Sequence, residues 1–318
     1  AVNTVVDRVE LEGGRAAGVV GRGFEARAGR EVILATGAIA TPKILQLSGI
    51  GPADTLRSAG VDVVVDSPNV GARLREHRVF LLQFRLAEDL GHNKLLGTEA
   101  GQEAARRQYQ ATRQGPLATP QCEIVGFLKT RPELDRPDAQ IQIGQFSLRA
   151  LEPGKAHLME REPGMLCLGF ILRPDSEGGL HVTSPDPDAP LDIDANYFAT
   201  EHDRTTAVDL FRSIRRLFAT APLAGRIEHE TLPGSEVQAD QEIIDAGLAM
   251  GACGYHAIAT CAMGPGDDDV VDPRLRVRGV EDLRVVDASV LPIMVAGNLS
   301  GPVSALAWRA ADFIVDGS

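Results

Sequence analysis

The run Glu31-Val32-Ile33-Leu34-Ala35-Thr36-Gly37 constrains the fold more than any other segment. Three consecutive aliphatics that stop at a glycine read as a strand buried on both faces, and such strands belong to parallel sheets. A parallel sheet needs crossover helices to cover it. Thr41-Pro42 supplies one start signal, with Thr41 as N-cap and Pro42 at the first helical position. Ile44, Leu45 and Leu47 form its apolar stripe, and Ser48-Gly49 ends it, the glycine taking the left-handed conformation. Near the other end, Leu283-Arg284-Val285-Val286-Asp287 reads as a second strand, closed by an acid. A glycine-containing loop follows, then a helix expected from Gly301 to Val315. Pro302 stands near its first position, and Val303, Leu306, Ala310, Phe313 and Ile314 line one side. The two ends of the chain are therefore expected to form one α/β domain.

The middle has another texture. Val79–Leu86, Glu123–Leu128, Ala139–Phe146 and Met165–Leu172 read as strands. Gln140, Gln142 and Gln145 suggest an antiparallel sheet with one wet face. Residues 96–114 are polar and read as a helix or mobile segment over a site. Asp203–Ala219 has helical periodicity through Val208, Phe211, Ile214, Leu217 and Phe218. The domain boundaries expected are 1–77 with 246–318, and 78–245 inserted. Short strands with a Gly13-Gly14 turn precede the parallel strand.

Composition sets the outer limits. The 318 residues carry 32 basic and 44 acidic side chains, a net charge of −12 that argues against a nucleic-acid or anionic-membrane surface. No apolar stretch approaches the length of a membrane span. Cys122, Cys167, Cys253 and Cys261 form neither a disulfide framework nor a CxxC metal pair, which fits a reducing compartment. His77, His92, His157, His181, His202 and His229 lack metal-ligand spacing, and Asp267-Asp268-Asp269 reads as a solvated loop; no metal site is expected. Gly21-Arg22-Gly23-Phe24-Glu25-Ala26 spells GxGxxA. The dinucleotide fingerprint needs a helix at its end, and here another strand follows, so the segment reads as a hairpin turn. The chain opens without Met, inside an apolar pattern of Val2, Val5, Val6, Val9 and Leu11. It reads as the C-terminal portion of a longer protein or one half of a split one, so targeting signals are not assessable.

Several ordered motifs share a single pattern. Residues Gly37–Gly51 resemble the second signature of the glucose–methanol–choline (GMC) flavin oxidoreductase family. Val70-Gly71-Ala72-Arg73-Leu74-Arg75-Glu76-His77 is similar to that family's VGxNLxDH segment, with Arg73 for Asn and Glu76 for Asp. Gly115-Pro116-Leu117 resembles its GPL. Ser176–Ser184 and Pro190–Tyr197 resemble the stretch before its long helix. Tyr255-His256-Ala257-Ile258-Ala259-Thr260-Cys261-Ala262-Met263-Gly264 is similar to its YHPxGTCxMG, with Ala257 for Pro and Ala259 for Gly. Leu283–Pro292 and Gly297-Asn298 resemble its LRVxDxSxxP…GN ending, although Leu299-Ser300-Gly301-Pro302 replaces the commoner TNAP. The resemblance implies an α/β fold with an α+β insertion. Part of a Rossmann-like FAD-binding domain would carry an inserted antiparallel-sheet substrate domain.

It also implies a chemistry. A lone histidine is more often packed than catalytic, but His256 lies in the small-residue stretch Gly251–His256, where a loop can reach a cleft. Histidine is the side chain best suited to exchanging a proton near neutral pH. By resemblance, His256 is the general base that takes the alcohol proton as a hydride leaves for flavin N5. Asn298, otherwise a common turn residue, would orient the substrate oxygen and touch the flavin. Asp287 and Ala288 would contact the FAD ribityl-phosphate region, and Ser300 and Pro302 would bring a positive helix end to the flavin. Val6 would offer backbone groups to the adenine, and Tyr255 completes the cofactor-contacting set. Cys261 reads as packing.

The expected activity is oxidation of an alcohol to an aldehyde or ketone, in a cytoplasmic, choline dehydrogenase-like flavoprotein. The aromatic content of 4% offers no cage for a quaternary ammonium group and so disfavours choline itself. The electron acceptor would be oxygen, a quinone or another carrier. A hydroxynitrile-lyase-like activity on the same scaffold keeps His256 as base. A non-catalytic fragment or subunit is the other alternative, because the family's N-terminal GxGxxG is absent, and a missing N-terminal half or partner chain is expected to complete the sheet.

Overall fold

The computed structural model describes residues 1–149 and 158–316; His157 lies outside the described residues. These residues divide into two compact units: residues 1–76, 174–199 and 255–318, and residues 77–173 and 200–254. The chain enters the first unit through an antiparallel sheet of β1 (Val6–Glu12), β2 (Arg15–Gly21) and β3 (Phe24–Arg27). Gly13 and Gly14 both have positive φ and make the first tight turn. Arg22 and Gly23 make the second, so the GxGxxA segment is a hairpin, as its flanks dictate. β4 (Val32–Leu34) leads into α1 (Gly37–Leu47), whose end is closed by Gly49 at φ +81°. The short parallel pair β5 (Ile50–Gly51) and β6 (Val65–Asp66) flanks α2 (Ala53–Ser58).

The second unit then supplies β7 (Arg78–Leu86), α3 (Asn93–Leu96), α4 (Glu99–Thr112), β8 (Ile124–Leu128), β9 (Ala139–Gly144) and β10 (Gly164–Ile171). The chain returns to the first unit for the hairpin of β11 (Gly179–His181) and β12 (Asp192–Asp194). It goes back for α5 (Glu201–Phe218), β13 (Ile227–Leu232), α6 (Asp240–Met250) and β14 (Ala252–Cys253). It ends in the first unit with β15 (Leu283–Val285) and α7 (Ser300–Asp316). Two stretches therefore group differently from the boundaries at 77/78 and 245/246. Residues 174–199 join the first unit, because Leu180 pairs with Gly71 and Val182 with Gln46. Residues 246–254 join the second, because α6 packs on β7 and β14 pairs with it.

In the second unit the sheet order is β13-β7-β10-β9-β8, antiparallel throughout. α5 covers β10 with a stripe of Ala207, Val208, Leu210, Phe211, Ile214 and Phe218. One expectation needs correction here. Gln140 is fully buried, Gln142 half-buried and Gln145 exposed, so the glutamine pattern marks a wet face only in part. Residues 220–250, unassigned from periodicity, hold β13 and α6.

In the first unit β4 and β15 pair in parallel, Val32 opposite Leu283 and Leu34 opposite Val285. Val9, Ile44, Leu45, Val70, Val270, Val271, Leu283, Val285 and Val290 build the core around them. Ile33 is 41% exposed, so β4 is buried on one face only within this chain. Among the described residues no helix is long and apolar enough to cross a membrane.

Candidate active site

Helix α1 begins five residues before the expected start, and the reason lies in the site. Thr41 and Pro42 are inside the helix, and Thr36 is its N-cap. Pro42 lacks an N–H, which frees the Ala38 carbonyl one turn back. The Thr260 hydroxyl donates to that carbonyl at 2.7 Å. Thr41 keeps its hydroxyl for another partner: it donates to Asp287 Oδ2 at 2.6 Å. The Gly37 N–H donates to the same oxygen at 3.0 Å, and Ser289 N–H reaches Oδ1 at 2.8 Å. Buried Asp287 therefore caps α1 from β15 and also caps its own turn. A carboxylate at a helix N-terminus is favourably placed against the helix dipole.

A smaller core carries the other residues. Ile258, Ala259, Ala262, Met294 and Leu299 pack together, with Ala288, Leu291, Val295 and Val303 against them. Cys261 N–H donates to Ser289 O and Met263 N–H to Val290 O, each at 2.9 Å, joining the 258–263 segment to the Asp287 turn. This packing brings the loops of His256 and Asn298 together. Asn298 Nδ2 lies 3.3 Å from His256 Nε2. An amide nitrogen can only donate, so this pairing requires Nε2 to be the unprotonated nitrogen. Burial also holds the imidazole below its usual pKa, favouring the neutral ring. The arrangement is a basic nitrogen beside an amide donor, which can accept one proton and orient one oxygen.

The remaining expected residues fall into two places. Ala288, Ser300 and Pro302 stand around the small core: Ala288 packs on it, Ser300 opens α7, and Pro302 lies in the first turn of that helix. Tyr255 precedes His256 with φ +57° and is 89% exposed. Val6 lies in β1, opposite Gly21, and packs on the larger core around β4 and β15. Asp287 belongs to both regions through its turn. Cys261 is buried, and burial pushes its thiol pKa far up, away from the thiolate form a nucleophile needs. Among the described residues no group of three or more His, Cys, Asp or Glu could hold a metal. Asp268 and Asp269 pair with Arg73.

One residue was passed over from sequence except as a departure from a motif. Glu76 is buried, and both its oxygens accept the His256 N–H, at 2.8 and 2.9 Å. Its place beside His77 in the Val70–His77 motif was the available signal. His77 itself is in the other unit, buried and stacked on Phe170 at 4.5 Å.

Two glycines in the first unit leave open space at helix starts. Gly37, at φ +88°, opens α1, and Gly301 stands in the first turn of α7; neither would meet an atom within 4 Å at a Cβ position. Backbone N–H groups in a helix's first turn lack intrahelical partners and attract negative charge.

Models of the GMC oxidoreductase family match residues 2–79 and residues 174–307, more than half of the chain. The chain belongs to the GMC oxidoreductase family. It is 36% identical over 325 residues to the mitochondrial choline dehydrogenase of Homo sapiens, covering 98% of this chain and 52% of that protein. It is 34% identical over 317 residues to the oxygen-dependent choline dehydrogenase of Chromohalobacter salexigens, covering 98% and 55%. Among solved structures, a formate oxidase of Aspergillus oryzae superposes with a TM-score of 0.88 at 26% identity, over 98% of this chain and 59% of that one. Pyridoxine 4-oxidase of Mesorbium loti superposes with a TM-score of 0.79 at 27% identity, over 97% and 56%. The GMC chain described here thus spans little more than half the length of the relatives it matches.

Proposed function

We propose that this chain carries the proton-transfer machinery of an FAD-dependent alcohol oxidoreductase, with His256 as general base and Asn298 as the group that orients the substrate oxygen. The observation that carries the reading is the 3.3 Å approach of Asn298 Nδ2 to His256 Nε2. FAD, the cofactor of the GMC family, would supply when bound the flavin N5 that accepts the hydride leaving the alcohol carbon. The alcohol proton passes to His256 Nε2, whose neutral state is favoured by burial. Asn298 donates to the same oxygen as it becomes a carbonyl. The Asp287-Ala288 turn, Gly37, Ser300 and Pro302 would hold the cofactor, with Tyr255 and Val6 as further contacts. The start of α7 favours negative charge placed against it.

The substrate is an alcohol that yields an aldehyde or ketone. Relatives named choline dehydrogenase make choline the first alcohol to test, against the low aromatic content. Oxygen, a quinone or another carrier takes the electrons on. The activity needs a polypeptide segment equivalent to the part of the relatives that this chain does not match. The exposed apolar residues Ile33, Ile39, Trp308 and Val315 support that requirement. Four free cysteines accord with a reducing compartment.

The test is His256→Ala in the full-length, flavin-loaded protein, followed by flavin absorbance under an alcohol substrate. Reduction should slow by about 10²–10⁴-fold. An unchanged rate removes His256 from the mechanism.

A further inference from the structure

We infer that Glu76 is a positioning residue for His256, a role that rests on the reading of His256 as base. Glu76 is only 7% exposed, yet it is an ionisable group, and a buried carboxylate must be compensated. Part of that compensation is the His256 N–H, shared by both oxygens at 2.8 and 2.9 Å. Hydrogen bonds to an ionised acceptor are roughly twice as strong as neutral ones.

The local backbone shows why such an anchor matters. Tyr255, just before His256, sits at φ +57°, and Ala259, three residues after it, at φ +69°. Both are side-chain-bearing residues in the left-handed region, which holds only where neighbours over-determine it. Ile258 is pinned by exchange with Arg75, N–H to O at 3.0 Å in one direction and 3.3 Å in the other. That bridge fixes the loop after His256, and Glu76 fixes the loop at His256. The imidazole reaches Asn298 from a backbone held on two consecutive residues of one segment, Arg75 and Glu76.

A base held this way contributes through its position, and misplacement by about 1 Å can cost about 10²-fold. The experiment uses the full-length, flavin-loaded protein labelled with ¹⁵N-histidine. Glu76→Ala should lower kcat by about 10²-fold and leave KM nearly unchanged, because the alcohol still binds. Glu76→Gln keeps one acceptor oxygen at the same reach and should lose only roughly fivefold. The His256 amide proton should lie downfield in the parent protein, move upfield in Glu76→Ala, and move part-way in Glu76→Gln. An unchanged kcat in Glu76→Ala, a loss carried by KM, or an amide that stays in place overturns the inference. If Glu76→Ala does not fold, the graded amide shift and kcat of Glu76→Gln decide alone; no change in either is the overturning result. The parallel His256→Ala protein separates the two readings. If it keeps full activity, the base assignment fails whatever Glu76 does; if it loses activity while Glu76→Ala does not, only the positioning role fails.

Discussion

The two long helices near the chain's second half, α5 and α7, differ in what they bury. α5 hides eight of its 18 residues, with Leu210 and Ile214 at 0% exposure. α7 has 17 residues and hides only Ala310, while Trp308 is 81% and Val315 77% exposed. Both are apolar on one side, so sequence periodicity treats them alike. The difference lies in what each unit provides. The antiparallel sheet of the second unit offers α5 a complete floor through β10. The parallel sheet of the first unit has two strands, and a parallel sheet that small leaves its covering helix without one. One unit buries one side of its long helix; the other leaves most of its long helix in contact with solvent.

The largest effect that would break this comparison is a truncation in α5. Phe211 is 1% exposed, meets Phe80 edge-on at 5.7 Å and lies under the Arg215 guanidinium at 4.5 Å. Phe211→Ala should cost about 3–5 kcal/mol. Trp308→Ala should stay within about 0.5 kcal/mol in this chain, as for any surface site. Urea unfolding followed by circular dichroism measures both. Trp308 is the single tryptophan and lies in the first unit, so its fluorescence follows that unit and should respond less to Phe211→Ala. Equal costs for the two substitutions would mean that α7 is packed as tightly as α5.

A smaller effect asks whether the first unit is loose throughout or only at its flank. Thr260 is fully buried, and its hydroxyl donates to the carbonyl freed by Pro42. Thr260→Val leaves that buried carbonyl unpaired and should cost about 1–3 kcal/mol in the same unfolding measurement. A cost near zero would mean that water reaches the start of α1, and the first unit would then be open in its interior as well.

The same contrast explains what could be read from the sequence. Strands with strong apolar patterns, at 78–86 and 164–171, were legible, as was α5, because the floor that buries them is in this chain. The parallel strand at 32–34 was legible as a strand but not in its exposure, since Ile33 is 41% exposed where three consecutive aliphatics suggested burial on both faces. The start of α1 was misplaced because Thr41-Pro42 carries a local cap signal that tertiary structure overrides. Asp287 and Thr260 take over the work of a cap and of the missing N–H, and neither is visible from Thr41 itself. Within the site, resemblance singled out His256 and Asn298, and packing brings them to 3.3 Å. Glu76 stayed hidden because its role depends on a hydrogen bond to a backbone 180 residues away.

The smallest effect concerns the proton on His256, and it sharpens the comparison at the site. Burial lowers the pKa of this imidazole from 6.5 even in the chain alone. The charged form is the one penalised, so the neutral ring is favoured, and the acid limb of kcat/KM should fall below the ordinary histidine value. If a further polypeptide covers the exposed apolar side of the first unit, the imidazole loses further water. Its pKa then moves down again, because further burial penalises the charged ring. An NMR titration of the His256 ring should therefore give a value below 6.5 in this chain and a lower one in the full-length protein. An upward move would mean that a negative charge, not an apolar surface, is what the missing cover brings to His256.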